Sequence, residues 1–331
     1  MTEARKEGCR RRALRPRLLL VAAFLAVLPV SLAAQSDGTG GSPEGGPVLL
    51  QLPHSARSAA LAGAAALAAP DADLLFVNPA LLANAGDVGV TAQRYGRDGR
   101  LASMAAATEW WGGGAGLGLR LAEYRTPLDG PQRLRRRAGD RLHFRGADDA
   151  PTEPVAERAV TAGYARTVLG FRVGASLSAL ELRRSQDSDA TGVLDLGIAR
   201  SLGPVTVGLS GGGLGPSLDG MPPGFRRLAK WTTAGLGTRT RAVGPLDLSA
   251  AAAVTLREGG RLEGGGGLEV AWWPVQGRTF VGRVGFGGPE IDDASRLSLG
   301  GGFLGDSFAL EYAWRDLGGG PGMHAVSVRF R

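Results

Sequence analysis

The chain has 331 residues, room for one large domain or two ordinary ones, a formal net charge of +7 and one cysteine. Aromatics are only 6% and glycine supplies 54 residues, about twice the usual ~7% share and without a collagen period. A lone Cys9 excludes a disulfide framework and a cysteine-based metal or redox site.

Residues 1–34 read as a secretory signal. A basic stretch, MTEARKEGCRRRALRPR, precedes the apolar run LLLVAAFLAVL, and small residues at Ser31 and Ala33 fit cleavage after Ala33 or Ala34. Leu18 to Leu28 is too short to span a bilayer, which takes ~20 residues as a helix. The segment carries seven basic residues and two acids, so its removal leaves about +2 and takes Cys9 with it. The excess positive charge belongs to the leader, and no nucleic-acid partner follows from it.

Residues 35–47, QSDGTGGSPEGGP, form a Gly/Ser/Pro linker. Residues 48–86 are rich in Ala and Leu and are broken by Pro53, Pro70 and Pro79 into short helical pieces. Within them, Asn78-Pro79 interrupts an apolar run. Two roles suit Asn78, a hydrogen bond to a surrounding wall or the cap of a turn that Pro79 starts.

Residues 87–331 alternate apolar with small or polar residues in segments of about ten, the period of strands. Phe171/Val173/Ala175/Leu177 and Leu246/Leu248/Ala250/Ala252/Val254/Leu256 are clear cases; 101–110 and 261–272 are the weakest. About fourteen strands result. The connections after even strands are short (WGG, TVLG, SLGP, AVGP, PVQG, GD), whereas those after odd strands are mostly longer and more polar, above all 125–156 and 213–229. Trp110, Trp111, Trp231, Trp272, Trp273 and Trp314, with Tyr95 and Tyr124, fall near strand ends, as expected of aromatic girdles. The fold class is therefore all-β: a transmembrane antiparallel barrel of about 14 strands, with a short N-terminal helical hatch in its lumen. Both barrel termini and the start of the hatch are expected on the periplasmic side, and the two long connections outside. Arg172, Glu181, Asp195 and Arg283 are expected to face the lumen.

Catalytic signals are absent, so an enzyme is not expected. GGGAGLG at 112–118 leads into a strand rather than the helix a dinucleotide needs. His54, His143 and His324 are scattered without metal-ligand spacing, and no serine is marked as a nucleophile. No cofactor is implied. Asp148/Asp149 and Asp292/Asp293 read as solvated outer loops. Arg133, Arg135, Arg136 and Arg137, with Arg141 and Arg145, make a basic outer loop suited to lipopolysaccharide phosphates.

The stretch LLQLPHSARSAALAGAAALAAPDADLLFVNPALLA resembles the N-terminal segment of the PorV/PorQ family, within the superfamily of the long-chain fatty-acid transporter FadL. The matching positions are Ala56-Arg57, Gly63-Ala64, Asp71, Asp73 and Asn78-Pro79-Ala80. The chain departs at Ala62, where the family often has glycine, and at Leu81, which replaces the glycine of Asn-Pro-Ala-Gly. The resemblance is specific over 49–83 and architectural over 87–331. It implies a fourteen-stranded outer-membrane barrel reached by Sec-type export, with Arg57, Gly63, Asp71, Asp73, Asn78, Pro79 and Ala80 shaping the hatch. It implies, first, a role in type IX protein secretion or surface attachment, with secreted proteins or secretion subunits as partners. The alternative is a channel for small hydrophobic molecules, and the second alternative a structural barrel in contact with outer-membrane lipid.

N-terminal sequencing of protein from outer-membrane fractions should return Ala34 or Gln35 first; recovery of Met1 would show the leader retained.

Overall fold

The structure, a computed structural model, describes residues 46–64, 71–127, 152–222, 225–258, 260–275, 277–287, 295–317 and 321–331. The leader, most of the linker and the arginine-rich connection lie outside these residues, as do Asp148/Asp149 and Asp292/Asp293.

From residue 88 the chain is a meander of antiparallel strands. They are β1 (Val88–Tyr95), β2 (Gly99–Trp110), β3 (Gly113–Pro127), β4 (Thr152–Val168), β5 (Phe171–Arg184), β6 (Asp187–Leu202), β7 (Val205–Leu214) and β8 (Trp231–Thr238), then β9 (Arg241–Val243), β10 (Leu246–Arg257), β11 (Leu262–Val275), β12 (Arg278–Gly287), β13 (Leu297–Leu304), β14 (Phe308–Arg315) and β15 (Met323–Phe330). β8 and β9 pair with successive parts of β10 and are two pieces of one barrel strand, interrupted at Arg239 and Thr240. Fourteen barrel strands result. β15 pairs with β1, Val88 opposite Phe330, and closes the sheet. The two weakest sequence segments are β2 and β11.

Alternation sets the two faces. Val90, Met104, Leu119, Val160, Leu177, Leu268 and Leu310 point outward and are exposed, while Thr91, Ser103, Thr161, Ser178 and Glu311 on the same strands point inward. No water-facing sheet tolerates that outer surface, whereas lipid does, and closure leaves no backbone edge unpaired.

The strand ends differ. At one end the turns are tight: Trp111-Gly112 and Leu169-Gly170 both have positive φ, the two-residue geometry that matches strand twist. The other end is less uniform than the sequence suggests. Links 96–98, 185–186 and 258–261 are short there too. Strands β3 to β6, of 14–17 residues, overshoot the ~9–11 a membrane strand needs and stand above their neighbours at this end. The long connection after β7, described at 215–222 and 225–230, is partly folded inward and not wholly a polar loop. Its Leu218, Met221 and Phe225 are buried against Leu182 of β5, with the Arg184 guanidinium 5.1 Å from the Phe225 ring.

Four side chains are oriented differently from the sequence reading. Glu181 lies on the outer face with Leu177 and Ala179, beside Arg183 at 3.6 Å. Tyr95 and Tyr124 point into the lumen, where their hydroxyls donate to Gln93 and Glu157. Trp231 faces inward as well. An outer aromatic band does exist at the tight-turn end: Trp272, Phe280, Phe303 and Phe308 follow one another at ring separations of 5.5–6.0 Å, and Trp110 stacks on Trp111 at 5.0 Å.

The lumen is occupied by residues 46–64 and 71–87, folded as short helical pieces at Val48–Leu50, Ala56–Ala60, Ala72–Phe76 and Pro79–Asn84. This hatch starts among the elaborated strand ends, where Gly46 touches Arg227 and Ala229, and descends to the tight-turn end before β1. The periplasmic start expected for it is thus reversed relative to the barrel termini. Part of the glycine excess has its reason here. Inward positions 114, 116, 118, 163, 174 and 197 are glycines beneath residues 75–82, and 265, 267, 285, 287 and 300 are glycines beneath 60–62. A Cβ on Gly174 would lie 2.6 Å from the Pro79 carbonyl oxygen, and one on Gly285 would lie 2.5 Å from the Ala60 oxygen.

Gly285→Leu should therefore destabilise hatch docking by about 1–3 kcal/mol, read as faster amide hydrogen exchange at 56–62. Gly282→Leu on the same strand faces outward into open space and should leave that exchange unchanged.

Candidate functional site

The hatch is held by capping, by wall hydrogen bonds and by a buried ion cluster. Ser55 caps the helix Ala56–Ala60, accepting from the Ser58 N–H, and Gly63 (φ +79) ends it by donating to the Ser58 carbonyl. Ala62, where the resembling family often has glycine, also takes a positive φ of 51°. Asn78 is the N-cap of Pro79–Asn84, its Oδ1 accepting from the Ala80 N–H at 3.2 Å, with Pro79 at the first helical position. Pro79 needs no N–H there and fixes the φ of the turn. Asn78 also touches the wall, because its Oδ1 fills the space in front of Gly197. Ala80 and Leu81 pack with Leu74 and Ala199.

Wall side chains satisfy hatch backbone groups that short helices leave open. Glu157 accepts from the Val48 and Leu49 N–H groups at 2.9 and 2.6 Å. Ser327 accepts from the Ala56 N–H, and Asp87, just before β1, accepts from the Ala72 N–H. Ser103 donates to the His54 carbonyl, Gln93 to that of Pro53 and Ser298 to that of Ala60.

The ion cluster joins hatch to wall. Arg57 meets Asp71 at 3.0 Å and Glu269 at 3.1 Å. Arg329 meets Asp71 at 2.8 Å, Asp87 at 3.1 Å and Glu311 at 3.2 Å, and Arg283 bridges Glu269 and Glu311 at 2.5 and 2.7 Å. Three guanidiniums thus face four carboxylates, all but one group mostly withdrawn from water. Burial opposes ionisation of Asp71, but Arg329 and Arg57 outweigh it and hold its carboxyl below the ordinary carboxylate range. Asp73 lies outside this clamp, 3.8 Å from the His54 Nε2, and burial followed by the Asp71 charge pushes it up. Burial, then Arg120, lowers His54 to about 3, so its imidazole is neutral.

The sequence reading found Arg57, Asp71 and Arg283 but not Glu269, Glu311 or Arg329. Their signal was available: each lies between outward apolar residues, as Glu311 does between Leu310 and Tyr312, and parity alone turns it inward. Asp195 faces the lumen and accepts from the Gly213 N–H at 2.9 Å. Arg172 does too, near the tight-turn end, and donates to Ser201. His324 is on the outer face, its Nδ1 2.7 Å from the Tyr312 hydroxyl. Arg133, Arg135, Arg136 and Arg137 lie outside the described residues. Among the described residues no group of three His, Cys, Asp or Glu could hold a metal ion.

Above the hatch a cavity of about 120 Å³ opens among the elaborated strand ends. Its mouth is set by Trp231, Arg257 and Glu263, its floor by Leu50–His54, Phe76 and Val77, and Arg120 lines it from β3.

A closed antiparallel barrel with a lipid-compatible outer face and an occupied lumen is a transmembrane β-barrel of the outer-membrane kind. No protein-family model matches the chain, and no curated protein matches it either. Solved structures with the same fold include the Pseudomonas putida toluene transporter TodX, with a TM-score of 0.53 at 10% identity, covering 83% of this chain and 96% of that one. The CymD monoaromatic hydrocarbon channel gives 0.55 at 11%, covering 83% and 97%, and a deltaS2 mutant of the TodX channel gives 0.56 at 11%, covering 85% and 98%. At these identities the likeness is one of fold.

Removing one partner of a buried ion pair costs about 3–5 kcal/mol. Asp71→Asn should loosen the hatch by that order, read as accelerated exchange at 56–60 and 72–76 in a barrel that still migrates as folded on unheated gels. Because the Asp71 pKa is lowered on folding, its contribution is complete at neutral pH and lost as pH falls through the lowered value. Acidification below the ordinary carboxylate range should loosen the wild-type hatch through this residue, and Asp71→Asn should remove that component.

Proposed function

We propose that the protein is an outer-membrane conduit for small hydrophobic molecules, gated by the hatch 46–87, with the elaborated strand ends facing outside. The observation that carries this reading is the arrangement of the lumen. A clamped but non-covalent hatch closes it, and a small cavity opens directly above. The shared fold with proteins described as a toluene transporter and a monoaromatic hydrocarbon channel supports it.

The secretion role implied by the PorV/PorQ resemblance has less behind it. The comparisons return nothing specific to that family, and the residues that carry the resemblance, Arg57, Asp71 and Asn78, are buried inside the barrel. A protein partner does not reach them there; they serve the hatch.

Loss of the Asn78 cap costs about 0.5–2 kcal/mol, and replacing Pro79 frees the backbone before it. In planar bilayers, Asn78→Ala with Pro79→Ala should conduct well above the nearly closed wild type. If that variant and a deletion of 48–86 both conduct like the wild type, the hatch is not a gate.

A further inference from the structure

The lumen's buried arginines are not alike. Arg57, Arg184, Arg283 and Arg329 each contact a carboxylate. Arg257 at the cavity mouth is also occupied, its Nε 2.7 Å from Glu263. Arg120 differs. It is 4% exposed, and among the described residues no carboxylate lies within ion-pair distance of it. Its Nη2 donates to the Leu52 carbonyl at 3.2 Å, its Nε has no hydrogen-bond partner, and its guanidinium lies 5.2 Å from the Phe76 ring. Glu157 and Asp195 act on it only through space and accept hydrogen bonds elsewhere, from the Val48, Leu49 and Gly213 N–H groups; a guanidinium withdrawn from water with no direct anionic contact is costly. The cation is nevertheless placed where an anion can reach it, on the lining of the cavity above the hatch.

The rest of the lining defines the ligand. Thr233 and Thr255 offer hydroxyls, and Phe76 and Trp231 offer ring surfaces. His54 is uncharged and adds no competing cation. A volume of about 120 Å³ is well below the ~300–1,000 Å³ of drug-sized sites. It suits a single ring bearing an acid group and not a long acyl chain.

We propose that this cavity binds a small organic anion, its carboxylate held by Arg120 in charge-assisted hydrogen bonds and its apolar body set against Phe76 and Trp231. As a statement about what enters, the proposal rests on the conduit reading, which it narrows to small acids; as a statement about binding, it is tested without transport.

The test uses the full-length mature protein in detergent, with benzoate as the probe and benzamide as its neutral isostere, followed by titration calorimetry. Benzoate should bind at least about tenfold tighter than benzamide, the scale of one charge-assisted contact. Arg120→Met should remove that preference and leave benzamide where it was. Trp231→Ala should weaken both ligands alike, and because Trp231 lies at the mouth it provides a second reading if the arginine variant fails to assemble. Equal affinity of wild type for the two probes, or a benzoate preference that survives in Arg120→Met, overturns the proposal. Flux of benzoate into protein-containing vesicles separates the two claims. Binding through Arg120 without flux leaves the site and removes the conduit; flux with no dependence on Arg120 leaves the conduit and removes the site.

Discussion

A closed sheet of fourteen strands encloses more space than its own inward side chains can fill. The inner face therefore needs either water or a separate piece of chain, and here the chain supplies it from residues 46–64 and 71–87. That requirement governs the rest. The hatch approaches the wall backbone to backbone at two places, so the inward positions there are glycine. Where it is apolar, as at Val48, Leu49 and Leu52, the facing wall turns apolar too, with Leu101, Ala122, Val155 and Leu180. A water-filled pore would have neither feature.

The same constraint places the charges. A loose segment in a lumen gains little from hydrophobic packing on glycine, so its position depends on directional contacts. Arg57 and Asp71, fourteen residues apart in sequence, are brought together and inserted between wall groups of opposite sign. Breaking any one pair leaves its partner buried, which makes the cluster selective for one docked position even where its net contribution to stability is modest. The capping at Asn78 acts on the other half of the hatch, and Glu157 on its beginning. Each helical piece is too short to hold itself; the first three are bonded to the wall through Glu157, Ser327 and Asp87, and Pro79–Asn84 is capped by Asn78 and packed on Ala199.

Much of this was legible in the chain. Period-two patterning and even counting yield fourteen strands, and the alternation of short and long connections identifies one end. The differences have a common cause: residue chemistry and strand parity point to opposite faces, and parity wins. The charge of Glu181 points to the lumen, yet Phe171, Val173, Ala175 and Leu177 share its parity and are lipid-facing. It survives outside because β5 continues past the bilayer. Tyr95, Tyr124 and Trp231 were placed in girdles because they sit at strand ends, where either face offers a polar partner for an aromatic edge. The pairing of hatch residues with wall residues was not legible at all. Arg57 and Glu269 are 212 positions apart, and nothing local in either segment specifies the other.

One run of the hatch links all the parts. It begins at Asp71 in the ion clamp, passes through the short turn Ala72–Phe76, lays Phe76 under Arg120 at the base of the cavity, and reaches the Asn78 cap two residues later. The clamp fixes the start of this run and the cap fixes its end, while the middle is the cavity floor. The floor is therefore positioned by contacts on either side of it and not by the wall beneath alone. A group that engages Phe76 acts on the segment between two fastenings, each worth only a few kcal/mol. Docking of the hatch and occupancy of the cavity are in this way tied to the same eight residues, 71 to 78, and the covalent continuity of that run is what joins them.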